Sequence, residues 1–483
     1  MYRVASLVAV LTVVSKILGL LRDLIVAHYF GTSMQADAYN MAYLFTGNFF
    51  IIFGTIGGPF YSALVATLPK LPENKHTWTF IKDILFKTTL VLIGVVLMIY
   101  FYKSFLLKFF IDPAQQEYFS LTLLNIDILL PLVILCGPIG IIFGILNCYK
   151  KYYEPSLSPA VVNIVMIITV LMMGDAANGL ALALGASLGG ILSFVFQFSP
   201  LAFVRKKLLG HDSSPHTKLQ KQAITRHPAK RSFASDAALK KDETTKVDSA
   251  SSESIIEEKQ DVFSGEYNHI LVPALFSTGL SQILVFIDGF YCKGLAEGSF
   301  TSLTLANRLI QLPLGVLLTA FLVPLFPRIT QLVKHDDLKE IKRLLVKAIR
   351  MLILLCIPAI VIGMIWPHEI IRLLFERGAF DERSTTMVAD LFFYLCLSII
   401  PYVLRDSFAR ACYSFGDARS PLVVMILSIV LKFALNSYFV EHYGLNGIAI
   451  STIIISVINA LILFVILNNK FRVKKVKPEN PTV

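Results

Sequence analysis

The sequence predicts an all-α polytopic membrane protein, with twelve transmembrane helices in two six-helix lobes that are related by a parallel pseudo-two-fold repeat. Three observations lead to this fold class. The chain of 483 residues is 55% hydrophobic and 16% charged, and its mean hydropathy of +0.67 is too high for a soluble protein of this length. Apolar runs of spanning length recur along the chain. Short motifs of its first half also return in its second half.

Each apolar run is long enough to cross a hydrocarbon layer about 30 Å thick, which takes roughly 20 residues of helix. Several runs are longer, so tilts or kinks are expected. Gly57, Gly58 and Pro59 form one predicted kink site, and Gly137 with Pro138 forms another. The predicted spans are 4–30, 36–67, 84–102, 117–148, 157–174, 179–204, 268–294, 301–327, 343–366, 385–412, 421–441 and 445–469.

Four motifs of the first half recur at a nearly constant distance in the second half. The offsets lie between 262 and 268 residues, which favours one duplicated unit. Because six spans return the chain to the side on which it started, the two units are parallel and related by an axis along the membrane normal. A central cavity between the two lobes follows. The matched motifs begin at Ser15 and Ser281, at Cys148 and Cys412, at Ser158 and Ser420, and at Asn178 and Asn446.

The chain divides into two lobes, a linker and a tail. The linker is polar, with few aromatic or large apolar residues, and this composition predicts a disordered cytoplasmic segment that joins the lobes. The predicted units are an N-terminal lobe at 1–204, the linker at 205–267, a C-terminal lobe at 268–470 and a basic cytoplasmic tail at 471–483.

The net charge of +11 comes mainly from the linker and from short connections between spans. This is the positive-inside pattern of a membrane protein, and no basic stripe interleaved with aromatic residues indicates a nucleic-acid partner. The connections 68–82 and 149–156 contain lysines, whereas 175–178 and 295–300 contain no Lys or Arg. Both termini are therefore predicted to be cytoplasmic.

Charged residues interrupt otherwise apolar spans in both halves. A charge near the middle of a membrane helix costs roughly 2.5 to 3.5 kcal/mol, so such residues normally face a water-filled cavity or a partner. Lys16 lies about twelve residues into its span, roughly 18 Å at 1.5 Å per residue, which is deep for a snorkelling side chain. The residues predicted to line a substrate cavity are Lys16, Arg22, Asp23, Asp37, Asn307 and Arg308.

A second set of polar residues occupies the seventh and eleventh spans. Asp288 is the single charge in the interior of the seventh span, while Lys432 and Asn436 are four residues apart in the eleventh and so share one helix face. An unpaired charge in low dielectric is costly. We therefore expect Asp288 and Lys432 to form an ion pair, with Asn436 completing the cluster. The alternative is that Lys432 points into the central cavity as a further phosphate contact.

The residues give no sign of catalysis or of a metal centre. The sequence contains no HExxH, GxSxG or P-loop motif, and its six cysteines lie in or at the ends of apolar spans without CxxC spacing. We expect a protein that is not an enzyme. A membrane scaffold that does not transport is an alternative, although such a protein would have no reason to retain buried charge.

Five stretches across both halves resemble the MurJ (MviN) family, the lipid II flippases of the multidrug/oligosaccharidyl-lipid/polysaccharide exporter superfamily. The resemblance implies a flippase that moves the lipid-linked peptidoglycan precursor from the inner to the outer leaflet of the bacterial cytoplasmic membrane by alternating access. Its partners would be that substrate and the membrane lipids, and it would act as a monomer. The stretches are Ser15–Asp23, Asp37–Ala38, Tyr153–Asn163, Ala306–Leu317 and Phe375–Phe380.

Carried over by position, the resemblance implies cavity cations at Lys16, Arg22 and Arg308 and an acidic position at Asp37. Some members bind sodium between the seventh and eleventh spans, where the ammonium of Lys432 could take the place of the ion. No cofactor is expected beyond a monovalent cation or coupling to the membrane potential. A flippase for another undecaprenyl-linked saccharide is the alternative within transport.

Overall fold

The computed structural model describes residues 2–55, 58–174, 179–210, 244–335 and 337–476. These residues are helical apart from short connections, and no strand occurs among them. A helical fold is what a lipid environment demands, because each backbone amide and carbonyl must find its partner within its own segment. The predicted all-α class is confirmed.

The first lobe contains the helices that precede the linker. The second and sixth predicted spans each consist of more than one helix. The helices are α1 (Tyr2–Phe30), α2 (Met34–Phe45), α3 (Gly47–Phe53), α4 (Pro59–Thr67), α5 (Lys75–Leu107), α6 (Gln116–Cys148), α7 (Tyr153–Met173), α8 (Leu180–Phe196) and α9 (Phe198–Gly210).

The second lobe follows the same plan, with one short additional helix, α13, ahead of its fourth span. Its helices are α10 (Thr244–Tyr291), α11 (Ser299–Lys334), α12 (Leu338–Ile365), α13 (Pro367–Phe375), α14 (Glu382–Ser414), α15 (Arg419–Tyr443) and α16 (Leu445–Val476).

Within the described ranges, nine helical segments are long and apolar enough to cross a membrane. They are α5, α6, α7, α8 with α9, α10, α12, α14, α15 and α16. The predicted total of twelve is therefore not confirmed. The other three predicted spans correspond to α1, to α11 and to the broken segment α2–α4.

The second predicted span is broken where the sequence predicted a kink. Pro59 is the first residue of α4, and Gly58 before it is extended, because proline fits the first turn of a helix but cannot continue an existing one. Gly57 lies outside the described residues. At the other predicted site, α6 continues without interruption through Gly137 and Pro138.

The helix pairings of the first lobe recur in the second, as a duplicated unit requires. Helix α1 packs on α7 and α10 packs on α15, while α7 packs on α8 and α15 packs on α16. The pairs α6–α8 and α5–α6 correspond in the same way to α14–α16 and α12–α14. The two lobes are therefore related by the parallel repeat that the motif offsets predicted.

Helices extend into both ends of the predicted linker, so its described ends are ordered rather than disordered. Helix α9 ends at Gly210 and α10 begins at Thr244, while 211–243 lie outside the described residues. Composition misses these ends because they pack: Tyr267 is 3% exposed within an apolar cluster, and Lys70 forms an ion pair with Glu266.

The last helix also extends into the predicted tail at 471–483, because residues near its end pack against the rest of the lobe. Helix α16 continues to Val476, and Lys470 at its end forms a 2.8 Å ion pair with Asp417. The Phe471 ring packs edge-on against Phe415. Residues 477–483 lie outside the described part of the chain.

The lobes meet closely at one end of the molecule, which we call the closed end. The Ala379 amide donates to the His28 carbonyl at 2.8 Å, and the hydroxyls of Thr32 and Ser384 are 2.7 Å apart. Gly31 has a φ of +53°, and a Cβ there would lie 2.3 Å from the Ala379 oxygen. This close backbone approach between lobes therefore requires glycine.

Candidate functional site

The centre of the site is the carboxylate of Asp23, which binds arginines from both lobes. Arg22 donates to its Oδ1 at 2.8 and 3.2 Å, and Arg308 of the second lobe donates to the same oxygen at 2.7 Å. The remaining guanidinium nitrogen of Arg22 donates to Asn163 at 2.9 Å, and Asn163 in turn donates to the Ser15 carbonyl at 3.3 Å. We call Arg22, Asp23, Asn163 and Arg308 the arginine cluster.

The arginine cluster carries a net positive charge in a partly buried position. Its two guanidinium groups and one carboxylate sum to +1, and the Asp23 side chain is 11% exposed. The cavity beside it measures about 20 Å³ and is also lined by Tyr39 and Asn40. In this conformation the space has room for about one water molecule and is too small for a phosphate.

Two of the predicted site residues make their contacts elsewhere. The Nζ of Lys16 lies against the backbone of α11, 2.9 Å from the point where a Cβ on Gly315 would sit. The Asn307 amide donates to the Leu303 carbonyl of its own helix at 2.9 Å. Lys16 thus faces the opposite lobe, as a residue at the lobe interface should, whereas Asn307 is satisfied locally.

Asp37 makes a contact that the sequence did not predict. Its two oxygens accept hydrogen bonds from the backbone amides of Gly298 at 2.8 Å and Thr301 at 2.7 Å, so it caps the first turn of α11 from the other lobe. Carboxylates are favourable there because the first amides of a helix lack partners and the helix dipole is positive at that end. Asn40 adds a 3.0 Å bond to the Thr301 hydroxyl.

The predicted pair in the second lobe is confirmed as a contact. Lys432 lies 2.9 Å from Asp288, and Asn436 donates to the same carboxylate at 2.9 Å. Lys432 also contacts the hydroxyl of Thr452 at 2.5 Å and that of Ser451 at 3.3 Å. Its side chain is 4% exposed. The ammonium therefore sits in a cage of oxygens and does not extend into the cavity between the lobes.

Asn163, Asn40 and Thr301 are site residues that sequence reasoning missed. All three are neutral, and buried neutral polar residues usually serve packing or helix capping. One signal was present: the stretch that resembles the flippase family ends at Asn163. As for metals, the described residues contain no group of three His, Cys, Asp or Glu side chains that could hold an ion.

Two repeated helical lobes that share ion pairs across their interface are the architecture of a two-lobed membrane transporter. Comparison with known proteins specifies the family of transporters. The chain belongs to the lipid II flippase MurJ family, whose model matches residues 26–478.

Individual relatives agree with this assignment. The probable lipid II flippase MurJ of Synechocystis sp. is 26% identical over 481 residues, which covers 97% of this chain and 81% of the relative. The probable lipid II flippase MurJ of Rickettsia prowazekii is 25% identical over 475 residues, which covers 96% of this chain and 83% of the relative.

Solved structures show the same fold. A lipid II flippase MurJ in an inward closed conformation matches with a TM-score of 0.74 at 22% identity, covering 97% of this chain and 90% of the other. An inward-facing multidrug resistance transporter of the MATE family, in the MOP superfamily, matches with a TM-score of 0.71 at 13% identity, covering 96% of each chain.

Replacing Asp37 by Ala should loosen the closed end. The change removes a cap worth about 1 kcal/mol, so we expect the ratio of separated to closed lobes to rise roughly fivefold. The measurement is the distance between spin labels introduced at Ala114 and Thr386, which are exposed and lie in different lobes. The control Glu382→Ala removes an exposed carboxylate at the same end. An unchanged distance distribution in Asp37→Ala would show that the cap does not hold the lobes.

Replacing Lys432 by Ala should destabilise the protein by about 3 to 5 kcal/mol, because it leaves the Asp288 carboxylate buried without its cation. The double variant Lys432→Ala/Asp288→Asn should recover part of this loss. Thermal unfolding in detergent measures both. The control Arg343→Ala removes an exposed pair with Glu340 and should change stability by less than about 1 kcal/mol. If the double variant were no more stable than Lys432→Ala, the loss of stability could not be assigned to the unpaired Asp288 carboxylate.

Proposed function

We propose that this protein flips lipid II from the inner to the outer leaflet of the cytoplasmic membrane by alternating access of its two lobes. The observation that carries the proposal is the arginine cluster, in which cations from both lobes meet on one carboxylate. Membership of the lipid II flippase family supports the choice of substrate. A single chain supplies both lobes, so a monomer suffices for this mechanism.

The contacts of Asp23 suggest how substrate binding is linked to lobe movement. A diphosphate offers the arginines the same kind of charge-assisted hydrogen bonds that they now make to a carboxylate. Substrate would therefore compete with Asp23 for Arg22 and Arg308. When Arg308 leaves Asp23, a contact between the lobes is lost, and the equilibrium between closed and open states shifts.

The position of one basic connection supports an orientation with the closed end outside. Helix α1 starts at the opposite end of the molecule and finishes at Phe30, next to the closed end. The basic connection after α4, with Lys70 and Lys75, also lies at the opposite end, and basic loops favour the cytoplasmic side. Both termini would then be cytoplasmic, and the cavity would open toward the side where lipid II is made.

The cage around Lys432 supports a proposal about energy coupling. A carboxylate, two hydroxyls and the Ile448 carbonyl, 3.4 Å from Nζ, are the oxygen ligands that a monovalent cation prefers. The ammonium already provides the positive charge in this cage. We therefore expect the site to need no sodium.

Transport should accordingly persist when sodium is replaced by choline at constant membrane potential. The physical reason is that the tethered ammonium of Lys432 balances Asp288 in every state of the cycle. The measurement is the appearance of lipid II in the outward-facing leaflet of right-side-out vesicles, with and without sodium. A loss of flipping on sodium removal would contradict the proposed role of Lys432, while the flippase function would stand.

Arg22→Ala and Arg308→Ala should each reduce flipping at least tenfold while leaving membrane insertion intact, because each removes a charge-assisted hydrogen bond of about 1.5 to 3 kcal/mol to phosphate. Arg308→Lys should retain more activity than Arg22→Lys, since Arg308 makes one contact in the cluster and Arg22 uses three nitrogens. Complementation of a flippase-depleted strain and outer-leaflet lipid II report the effect.

The matched control for these arginines is Arg328→Ala, an exposed position on the same helix as Arg308, which should behave as the unaltered protein. If both cluster variants complemented as well as Arg328→Ala, the anion-binding mechanism would have to be abandoned.

A further inference from the structure

A lateral groove lies between the first lobe and the middle part of α10, away from the arginine cluster. Its volume is about 470 Å³. The floor is made of buried apolar side chains that include Phe60, Leu92 and Leu271, at 5, 5 and 8% exposure. Val91, 66% exposed, stands at its rim. The groove is therefore a formed feature between packed helices that opens toward the lipid.

The groove is polar at one end and apolar at the other. On α5 its lining runs from Asp83 and Lys87 to Val95, and on α10 from Ser264 to Leu275. Both helices start at the same end of the molecule, so their polar residues lie together. Twelve residues of α5 span roughly 18 Å, which is close to half of the hydrocarbon core of about 30 Å. These are the dimensions and the polarity of one lipid in one leaflet.

The head end of the groove carries one charge of each sign. Asp83 and Lys87 form an exposed i, i+4 pair at 2.7 Å, with side-chain exposures of 43 and 70%. A phosphate beside Lys87 and an ammonium beside Asp83 would match these charges. A headgroup that carries both groups is complementary to this end, whereas a purely anionic headgroup would meet the Asp83 carboxylate as well.

A buried hydroxyl lies among the lining side chains. Tyr267 is 3% exposed, and its hydroxyl makes no hydrogen bond within the described part of the chain. A buried polar group without a partner costs about 1 to 3 kcal/mol, and native proteins rarely leave one unsatisfied. An acceptor supplied from the groove, such as the carbonyl of a fatty acid ester, would remove this cost once the neighbouring side chains move aside to admit it.

We infer that the groove binds a glycerophospholipid whose headgroup carries both a phosphate and an ammonium, with Asp83 and Lys87 at the headgroup and Tyr267 at an ester carbonyl. One acyl chain then lies along Val91 and Leu271. Because the walls come from α4 and α5 of one lobe and α10 of the other, the bound lipid holds α10 against the first lobe. This inference does not depend on which substrate the protein flips.

Tyr267→Phe tests the site, because it keeps the ring and removes only the hydroxyl. We expect phosphatidylethanolamine to bind the delipidated protein about fivefold more weakly, the equivalent of one hydrogen bond, as measured by native mass spectrometry of lipid adducts. The control Tyr102→Phe alters an exposed tyrosine, 58% exposed, on α5 and should bind as the unaltered protein. Equal binding by Tyr267→Phe and Tyr102→Phe would overturn the inference.

Two further binding measurements identify the lipid that occupies the groove. Asp83→Asn should weaken phosphatidylethanolamine about fivefold and should not weaken phosphatidylglycerol, which has no ammonium. A polyprenyl phosphate, which has no ester carbonyl, should bind Tyr267→Phe and the unaltered protein equally. If polyprenyl phosphate bound more tightly than phosphatidylethanolamine and lost affinity in Tyr267→Phe, the groove would belong to the tail of the substrate, and the phospholipid inference would fail.

Discussion

One carboxylate shared by two arginines is the interaction on which the arrangement of the lobes depends. Charges buried near the middle of a membrane are tolerated only when they are paired or face water, and the second lobe is not balanced at this point without the first. The first lobe supplies Arg22 and Asp23, which neutralise each other, while Arg308 of the second lobe has its partner across the interface. Separating the lobes therefore requires either water or an anion to replace Asp23 at Arg308.

The duplication places this chemistry at equivalent points of the two lobes and gives it opposite signs. At the motif offset of 266 residues, Arg22 on α1 corresponds to Asp288 on α10. Each contacts the fifth membrane span of its own lobe. Arg22 contacts Asn163 on α7, and Asp288 contacts Asn436 on α15. Arg22 of the first lobe shares Asp23 with Arg308 across the interface, whereas Asp288 of the second lobe is paired with Lys432 inside its own lobe. One inherited helix pair thus provides a cation at the lobe interface in the first lobe and an internally paired acid in the second lobe.

The sequence predicted the parts of this structure that depend on the cost of burying charge or on hydropathy. Asp288 and Lys432 could be paired because each is the single charge in the interior of an apolar span. Asp37 could not be assigned, because its partners are the backbone amides of Gly298 and Thr301, and backbone donors have no signature in sequence. The ends of the linker were missed for a related reason. Composition averages over a segment, whereas order at Tyr267 comes from a contact with a distant helix.

The tethered ammonium of Lys432 limits how the proposed cycle can be driven. An ion that binds and leaves transmits the energy of its gradient, but a covalently attached charge stays in its cage and transmits none. A source that requires no ion in this cage is the membrane potential, which acts on charge with about 2.3 kcal/mol per unit charge per 100 mV. A diphosphate moving outward from a negative interior moves in the favourable direction. The cluster of net charge +1 and Lys16 carry positive charge back toward the negative interior in the empty step, so the field opposes neither step of the proposed cycle.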